Sequence, residues 1–218
     1  MNRWFAVSAC DAVPPGHVAY TQLLGQELVL WRSAAGVLNA WENRCPHRGV
    51  RLTLGSCVGE ELRCQYHAWR FASGSGQCTH IPSHPQQKPA STIRAQVFPL
   101  CEDGSFAWVN LTRDALPSPH PAASLDTALR SIFARAPVAA VRQVLLQGYG
   151  GHSVGLGDEF TLSVPDQKLQ FMLQPVTEAQ TIIHARLRGD LNAAERMTIF
   201  RHHNALLSVA RDQAEAAA

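Results

Sequence analysis

The sequence predicts an α+β protein, in which an all-β N-terminal domain precedes an antiparallel sheet with a long C-terminal helix. Short alternating segments separated by glycine and proline turns fill the first 113 residues. Beyond them, further alternating segments are followed by one long stretch of helical periodicity. A proline-rich tract over residues 114–124 is typical of an extended linker. We therefore expect domains at 1–113 and 125–218.

Hairpins are predicted throughout the N-terminal domain. Leu28–Arg32 alternates as a strand, Ser33–Gly36 is a turn, and Val37–Glu42 returns. Val58–Leu62 predicts a second turn with a strand entry, and Phe106–Val109 a closing strand. The first two of these segments lead into loops that contain cysteine and histidine, so both loops are expected at hairpin tips.

The C-terminal domain is predicted to begin with a helix over 125–135, because Leu125, Leu129, Ile132 and Phe133 recur at helical spacing. Period-two patterning then predicts four strands: Val141–Leu146, Phe160–Val164, Leu169–Pro175 and Thr181–Leu187.

The final helix is predicted from Asn192 to about Ala214. Asn192 followed by Glu195 resembles a capping box, in which an N-cap acceptor precedes a glutamate by three residues. The apolar face of this helix is expected to contain Ile199, His203, Leu206 and Ala210, with Phe200 and Leu207 beside them.

Two pairs of metal-ligand residues lie in the N-terminal domain, Cys45-x-His47 and Cys64-x-x-His67, with residues 48–63 between them. Two thiolates and two imidazoles fit a Rieske [2Fe–2S] centre, where cysteines hold one iron and histidines the other. Tetrahedral zinc accepts the same donors. Zinc fingers usually pair cysteine with cysteine, so the mixed order favours the Rieske cluster, with zinc as the alternative.

Composition is that of an ordinary globular protein, with 46% apolar and 17% charged residues and a net charge of +2. Such a balance does not suggest a nucleic-acid or membrane partner. We find no apolar run of about 18 residues and no signal-peptide pattern, so the expected location is cytoplasmic. In a reducing compartment the remaining cysteines are expected as free thiols: Cys10, Cys57, Cys78 and Cys101.

Residues 1 to about 113 resemble the Rieske domain of the non-haem iron aromatic-ring oxygenases, notably the vanillate demethylase and phenoxybenzoate dioxygenase branch. The respiratory-type Rieske motif has an extra cysteine in each ligand loop, where this chain has Arg48-Gly49 and Gln65-Tyr66. The resemblance therefore implies a lower-potential cluster without a disulfide between the loops. It is carried by Trp4, Pro15-Gly16, Trp31-Arg32, Cys45-Pro-His-Arg-Gly49, Leu54-Gly55, Cys64-Gln-Tyr-His-Ala-Trp-Arg-Phe71 and His80-Ile-Pro-Ser-His-Pro85.

The resemblance also implies that residues 125–218 are a reduced, helix-grip-like domain. In that family this domain holds a mononuclear Fe(II) through two histidines and one carboxylate. We find no Asn/Asp-x-x-His-x(3–4)-His motif in residues 114–218, and His80 and His84 belong to the Rieske domain. The family's carboxylate position reads Phe200-Arg-His-His203, with His203 in place of the carboxylate. Mononuclear Fe(II) is therefore not expected in this chain.

These expectations together predict a truncated, α′-like subunit whose cluster ligands are Cys45, His47, Cys64 and His67, with no catalytic residue of its own. It would relay electrons from a ferredoxin or flavin-dependent reductase to the iron of a full-length Rieske oxygenase α subunit, in a trimeric or hexameric ring. Two alternatives remain. One is a structural subunit whose cluster only stabilises the fold. The other is a complete monooxygenase with an atypical iron site, drawn from His152, His184 or His203 with Asp158 or Asp190.

Overall fold

The computed structural model describes residues 3–112, 117, 126–148, 152–154, 159–164, 167–188 and 193–217. The predicted linker lies almost entirely outside these residues, as do Leu125, Asn192 and the expected domain boundary. No helix in the described ranges is long and apolar enough to cross a membrane.

The N-terminal domain is built from short antiparallel strands in three sheets, ordered β1-β10-β9, β2-β3-β4 and β5-β6-β7-β8. The hairpins predicted around Leu28–Glu42 and before the second ligand loop are confirmed. The strands are β1 (Phe5–Ala9), β2 (Val18–Leu23), β3 (Gln26–Arg32), β4 (Leu38–Glu42), β5 (Ser56–Val58), β6 (Glu61–Arg63), β7 (Arg70–Ala72), β8 (Cys78–His80), β9 (Leu100–Glu102) and β10 (Phe106–Val109).

Strand β3 separates two hydrophobic cores in this domain. Leu28 and Leu30 pack into a core that also contains Val13. The alternate residues Val29 and Trp31 point into a second core that contains Cys45 and Cys64. Side chains on a strand alternate between its faces, so one consecutive apolar run fills both cores. Cys45 and Cys64 therefore pack in the same core as one face of β3.

The C-terminal domain has the predicted antiparallel sheet, ordered β11-β16-β15-β14-β13, with β12 also paired to β16. Three of the four predicted strands had counterparts close to their expected bounds. The elements are β11 (Thr127–Ala128), β12 (Ile132–Ala134), α1 (Val138–Gly148), β13 (His152–Val154), β14 (Glu159–Val164), β15 (Gln167–Thr177), β16 (Gln180–Arg188) and α2 (Ala193–Ala216).

Two predictions for this domain are wrong. The expected strand at Val141–Leu146 is part of helix α1, which buries Val141 and Leu145 four residues apart and follows Pro137. The expected helix over 125–135 is instead the short strands β11 and β12, both of which pair with β16. In both places a short apolar run was compatible with either element. Pairing with β16 selected strands at β11 and β12, whereas burial of one helical face selected the helix at α1.

Helix α2 confirms the predicted long C-terminal helix, but its buried face is shifted. His203, Leu207, Ala210 and Ala214 are buried, whereas Leu206 is only half-buried. This spacing of four, three and four residues follows one side of an α-helix. The helix therefore covers the sheet with a face that includes an imidazole.

The turn between β2 and β3 attaches the N-terminal domain to the C-terminal sheet. Backbone N–H groups of Leu24 and Gly25 donate to the carbonyls of Pro175 and Val176 in β15, at 2.7 and 2.8 Å. Leu24 takes a left-handed conformation with φ of 51°, which turns both N–H groups toward that strand. The two domains are thus joined by main-chain hydrogen bonds as well as by side chains.

Candidate metal centre

The first ligand loop, Cys45–Val50, is closed by two backbone hydrogen bonds. The N–H of Cys45 donates to the carbonyl of Val50 at 2.9 Å, and the N–H of Gly49 donates back to Cys45 at 2.8 Å. Gly49 has φ of 73°, a left-handed conformation that glycine adopts without a steric penalty. The sequence Cys45-Pro-His47 therefore sits on a tight turn that presents both donors.

The second ligand loop, Cys64–Trp69, repeats this geometry. The N–H of Cys64 donates to the carbonyl of Trp69 at 2.9 Å, and the N–H of Ala68 donates to Cys64 at 3.1 Å. The left-handed position is held here by Ala68, with φ of 55°. Two loops of the same shape thus face one another, each with a cysteine at its start and a histidine near its tip.

The two thiols lie side by side in the protein interior. Cys45 and Cys64 are 3% and 2% exposed. Burial, together with the neighbouring Cys64 thiol, raises the pKa of Cys45 to about 12. Two adjacent buried thiolates need a nearby positive charge, because a charge in a low-dielectric interior is costly when uncompensated. A bound metal centre supplies that charge.

The two imidazoles lie toward the surface, with ring centroids 4.7 Å apart. His67 is exposed beside Tyr66, while His47 is half-buried and stacks on Trp69, with a centroid distance of 4.1 Å and an interplanar angle of 7°. Burial lowers the pKa of His47, and electrostatic repulsion between protonated His47 and its neighbours His67 and Arg48 also lowers it. Both effects favour the neutral imidazole, which is the form that binds metal.

This arrangement fits a [2Fe–2S] cluster better than a zinc ion. Each iron of a Rieske cluster takes two protein donors, and the site offers an inner thiol pair and an outer imidazole pair. Zinc requires all four donors around one ion. Within the described residues, no three His, Cys, Asp or Glu side chains gather closely enough to hold a single metal ion.

Comparison with known proteins agrees with this geometry. Residues 3–99 match the family model of the Rieske [2Fe–2S] domain. This is a Rieske-domain protein, related to the Rieske oxygenases. Its fold matches the Rieske oxygenase α fold, as predicted, with a β-rich Rieske domain followed by an antiparallel sheet and a long C-terminal helix.

Relatives differ in how much of the chain they match. The chain is 40% identical over 183 residues to oxidoreductase NdmD of Pseudomonas putida, covering 80% of this chain and 30% of that protein. It is 39% identical over 97 residues to the 3-chlorobenzoate-3,4-dioxygenase oxygenase subunit of Comamonas testosteroni, covering 44% of this chain and 22% of that one. The chain thus spans less than a third of the length of these two curated relatives.

Among solved structures, the chain is similar to dicamba monooxygenase, with a TM-score of 0.77 at 18% identity. That alignment covers 99% of this chain and 86% of the other. A second similar structure is the reduced complex between oxygenase and ferredoxin in carbazole 1,9a-dioxygenase, with a TM-score of 0.71, 15% identity, and coverage of 94% and 75%. At these identities the likeness concerns the fold.

His184, one of the alternative iron ligands, is committed to a buried hydrogen-bond network. Its Nδ1 lies 2.7 Å from Ser131 Oγ and its Nε2 2.8 Å from Gln174 Oε1. The amide nitrogen of Gln174 donates to Thr21 Oγ1 and to the carbonyl of Gln22, so Oε1 is an acceptor. His184 Nε2 therefore carries the proton, and Nδ1 accepts from the serine hydroxyl.

The other alternative ligands are not brought into a site by the described residues. His203 is buried on α2, and burial followed by the charge of His202 lowers its pKa to about 4. Asp158, Asp190 and the side chain of His152 lie outside the described residues. His80 ends β8 and His84 lies in a turn, so the His80–His84 pair sits in the Rieske domain as expected.

Sequence reasoning missed the buried polar contacts between the domains. Asp103 Oδ2 accepts from Arg186 and from Trp108 Nε1, while Oδ1 accepts the backbone N–H groups of Ser105 and Phe106. These backbone bonds, the indole and the Arg186 charge lower the pKa of Asp103 against the opposing effect of burial. One sequence feature could have indicated these buried contacts. Two glutamines four residues apart in β15, Gln170 and Gln174, interrupt an apolar strand, and both are buried.

Proposed function

We propose that this chain is an electron-transferring Rieske component of a multicomponent oxygenase. In this proposal it receives electrons singly from a ferredoxin or flavin-dependent reductase. It then passes them to a mononuclear iron in a full-length oxygenase α subunit, within a cytoplasmic ring of subunits. The bound [2Fe–2S] cluster supplies reversible one-electron chemistry.

The residues of the two loops divide this task between an inner and an outer side. Cys45 and Cys64 would hold the cluster on its buried side, attached to the core beneath β3. His47 and His67 would hold it on the side nearer the solvent, where the outward ring nitrogens can meet a partner. Trp69 stacks on His47 and fixes the plane of that imidazole. Electrons therefore enter and leave at the histidine edge.

The observation that carries the proposal is the engagement of His184. Both of its ring nitrogens are within hydrogen-bond distance of Ser131 and Gln174, and it is 1% exposed. To bind iron, it would have to break a satisfied buried bond, which leaves another polar group without a partner. This supports a second domain that holds the Rieske domain rather than one that activates oxygen.

The pattern of relatives supports the same conclusion. The alignment with oxidoreductase NdmD spans 183 residues, whereas the Rieske model covers residues 3–99. The alignment must therefore extend into the C-terminal domain. The alignment with the 3-chlorobenzoate-3,4-dioxygenase oxygenase subunit spans only 97 residues. In sequence, the second domain is thus shared with a protein named an oxidoreductase.

The proposal is tested by complementing an oxygenase whose own cluster has been removed. A full-length Rieske oxygenase α subunit that co-purifies with this chain would be prepared with its cluster cysteines replaced by serine. Product formation would be measured with its reductase, its substrate and oxygen, with and without the present chain. We expect turnover only when this chain is added, and none when its Cys64→Ser variant is added.

Two results would contradict the relay. Turnover by this chain and reductase alone would identify a complete monooxygenase. Restoration of turnover by the Cys64→Ser variant, as well as by the original chain, would indicate a structural subunit whose cluster carries no electrons.

A further inference from the structure

Exposed arginines lie close in sequence to the residues of the proposed cluster site. Arg44 and Arg48 flank Cys45 and His47 in the first loop, and Arg63 directly precedes Cys64. All three arginines are exposed, and none lies within ion-pair distance of an acid in the described part of the chain. With Arg94, which lines the same groove as Arg44, they form what we call the basic rim.

That groove lies against the first ligand loop and has a volume of about 550 Å³. Arg44 and Arg94 line it together with Cys45, Pro46 and Gly49. Glu42 is the one acid among its lining residues. Arg94 also donates to the backbone carbonyl of Ser91, which holds its side chain in place. The groove is thus a concave, positively charged feature that reaches a cluster-binding residue.

Acids near the cluster site are largely engaged by other groups. Glu27 accepts two hydrogen bonds from Arg51, at 2.9 and 2.5 Å. Glu61 is 3.6 Å from Arg70, and Glu60 accepts the N–H of Ala35 at 2.7 Å. Glu42 lines the groove with Arg44 and Arg94, and Glu27 also interacts electrostatically with Arg44. The arginines of the basic rim outnumber these acids, so the rim keeps a net positive charge. A surface of one sign around a redox centre attracts a partner of the opposite sign and orients it.

We propose that the basic rim is the docking surface for an acidic protein that carries one electron. This inference rests on the proposed function and adds the charge of the partner and the surface that receives it. In the docked pair, an acidic side chain of the carrier enters the groove between Arg44 and Arg94, which brings its redox centre over His47 and His67. The carrier is oxidised by one electron and the cluster is reduced by one.

Two probe proteins of opposite charge test this surface. The first is a reduced plant-type [2Fe–2S] ferredoxin, an acidic protein whose potential of about −400 mV is low enough to reduce a Rieske cluster. The second is oxidised cytochrome c, a basic protein that accepts an electron from the reduced cluster. Rapid-mixing spectroscopy would follow the cluster absorbance between roughly 20 mM and roughly 500 mM salt, where the Debye length falls to a few ångströms.

Arg48→Glu reverses one charge of the rim, and Arg48→Lys retains it. Arg201→Glu is the matched control, because Arg201 is exposed on α2 in the other domain and the net charge changes equally. We expect the rate with ferredoxin to fall about tenfold with salt, and about tenfold in Arg48→Glu at low salt. Arg48→Lys and Arg201→Glu should stay within about twofold of the original chain. The rate with cytochrome c should rise with salt.

Equal effects of Arg48→Glu and Arg201→Glu, or the same salt dependence with both probes, would overturn the docking surface. Each variant is first reduced with dithionite, which needs no docking, and its absorbance spectrum is compared with that of the original chain. A cluster that dithionite reduces normally but that shows a flat salt dependence therefore rejects the basic rim. This result would not contradict the proposed electron transfer to a partner's iron, because complementation tests that transfer separately.

Discussion

The cluster site and the His184 network both contain buried polar groups and imidazoles, yet they are built for opposite purposes. His47 and His67 lie on loop tips near the surface, with their rings 4.7 Å apart and their cysteine partners behind them. His184 lies in the middle of a strand, 1% exposed, with Ser131 and Gln174 on its two nitrogens. In the first arrangement the imidazole nitrogens are available to bind a metal. In the second, both imidazole nitrogens are occupied by hydrogen bonds.

This difference teaches that an imidazole becomes a ligand only where the fold leaves a ring nitrogen without a better partner. In the loops, the backbone bonds to itself and the side chains project. In the C-terminal sheet, β16 places His184 against the Rieske domain, where neutral hydrogen-bond partners surround it. The same residue type is thus available to bind a cofactor in the proposed cluster site, whereas it joins two domains at His184.

The largest effect should come from removing one thiol of the cluster site. We expect Cys64→Ser to abolish binding of both irons, because a thiolate that bridges protein and iron has no substitute in that loop. Cys78→Ala is the matched control, since Cys78 is equally buried in the same core but is not among the proposed ligands. Iron and sulfide content with the visible spectrum would check this. Loss of the cluster in Cys78→Ala as well would mean that the core, not the ligand set, is responsible.

The next largest effect concerns the ion pair between the domains. Asp103→Asn leaves Arg186 buried with reduced compensation, which should lower the free energy of unfolding by about 3–5 kcal/mol. Glu27→Gln removes a carboxylate from an exposed pair with Arg51 and should change that free energy little, since solvent screens such pairs. Urea denaturation of both variants provides the comparison. Equal losses would show that burial of the Asp103 pair is unimportant.

His184 should make stability depend on pH. Burial lowers its pKa to about 3 from an ordinary value of 6.5, so below pH 6.5 only the unfolded chain takes up this proton. The contribution of neutral His184 to the free energy of unfolding is complete above pH 6.5. It is lost as the pH falls below that value, by up to about 1.4 kcal/mol per pH unit.

The variant His184→Gln removes this titration while keeping a polar side chain. Between pH 7 and pH 5, urea denaturation should show a shallower decline in stability for the variant than for the original chain. Some decline should persist, because burial also lowers the pKa of His203. Identical slopes for the two proteins would contradict a neutral, buried His184.

The smallest effect on stability is expected from substitutions at the left-handed position of each ligand loop. Gly49→Ala should cost about 1 kcal/mol, because alanine is disfavoured at φ of 73° although no atom lies within 4 Å of the added methyl group. Ala68→Gly relieves the same backbone strain at φ of 55°, but it raises the conformational entropy of the unfolded chain. The two effects oppose each other, so the free energy of unfolding should change by less than about 1 kcal/mol. Thermal unfolding measures both. A larger cost for Ala68→Gly than for Gly49→Ala would contradict the equivalence of the loops.

The sequence was sufficient for features that depend on local spacing. Cys64 and His67 lie in the loop between the paired strands β6 and β7, as predicted. The prediction of a hairpin tip is wrong for Cys45 and His47, because the strands on either side of their loop, β4 and β5, belong to different sheets. The ligand spacing alone was still enough to predict that the two loops approach each other. The strands β14 to β16 and helix α2 followed from their periodicity. Val138–Gly148 and Thr127–Ala134 were mistaken because short apolar runs fit either element. The partners of His184 and Asp103 could not be predicted, since they join residues far apart in the chain.

The central claim is that this chain holds a two-iron cluster and no iron beyond it. Mössbauer spectroscopy of protein enriched in ⁵⁷Fe tests it most directly, together with iron counted per chain. We predict two irons per chain, both ferric as isolated, of which only the histidine-held iron becomes ferrous on reduction. A third iron with the signature of a mononuclear, high-spin ferrous site would contradict the claim and identify an intact oxygenase.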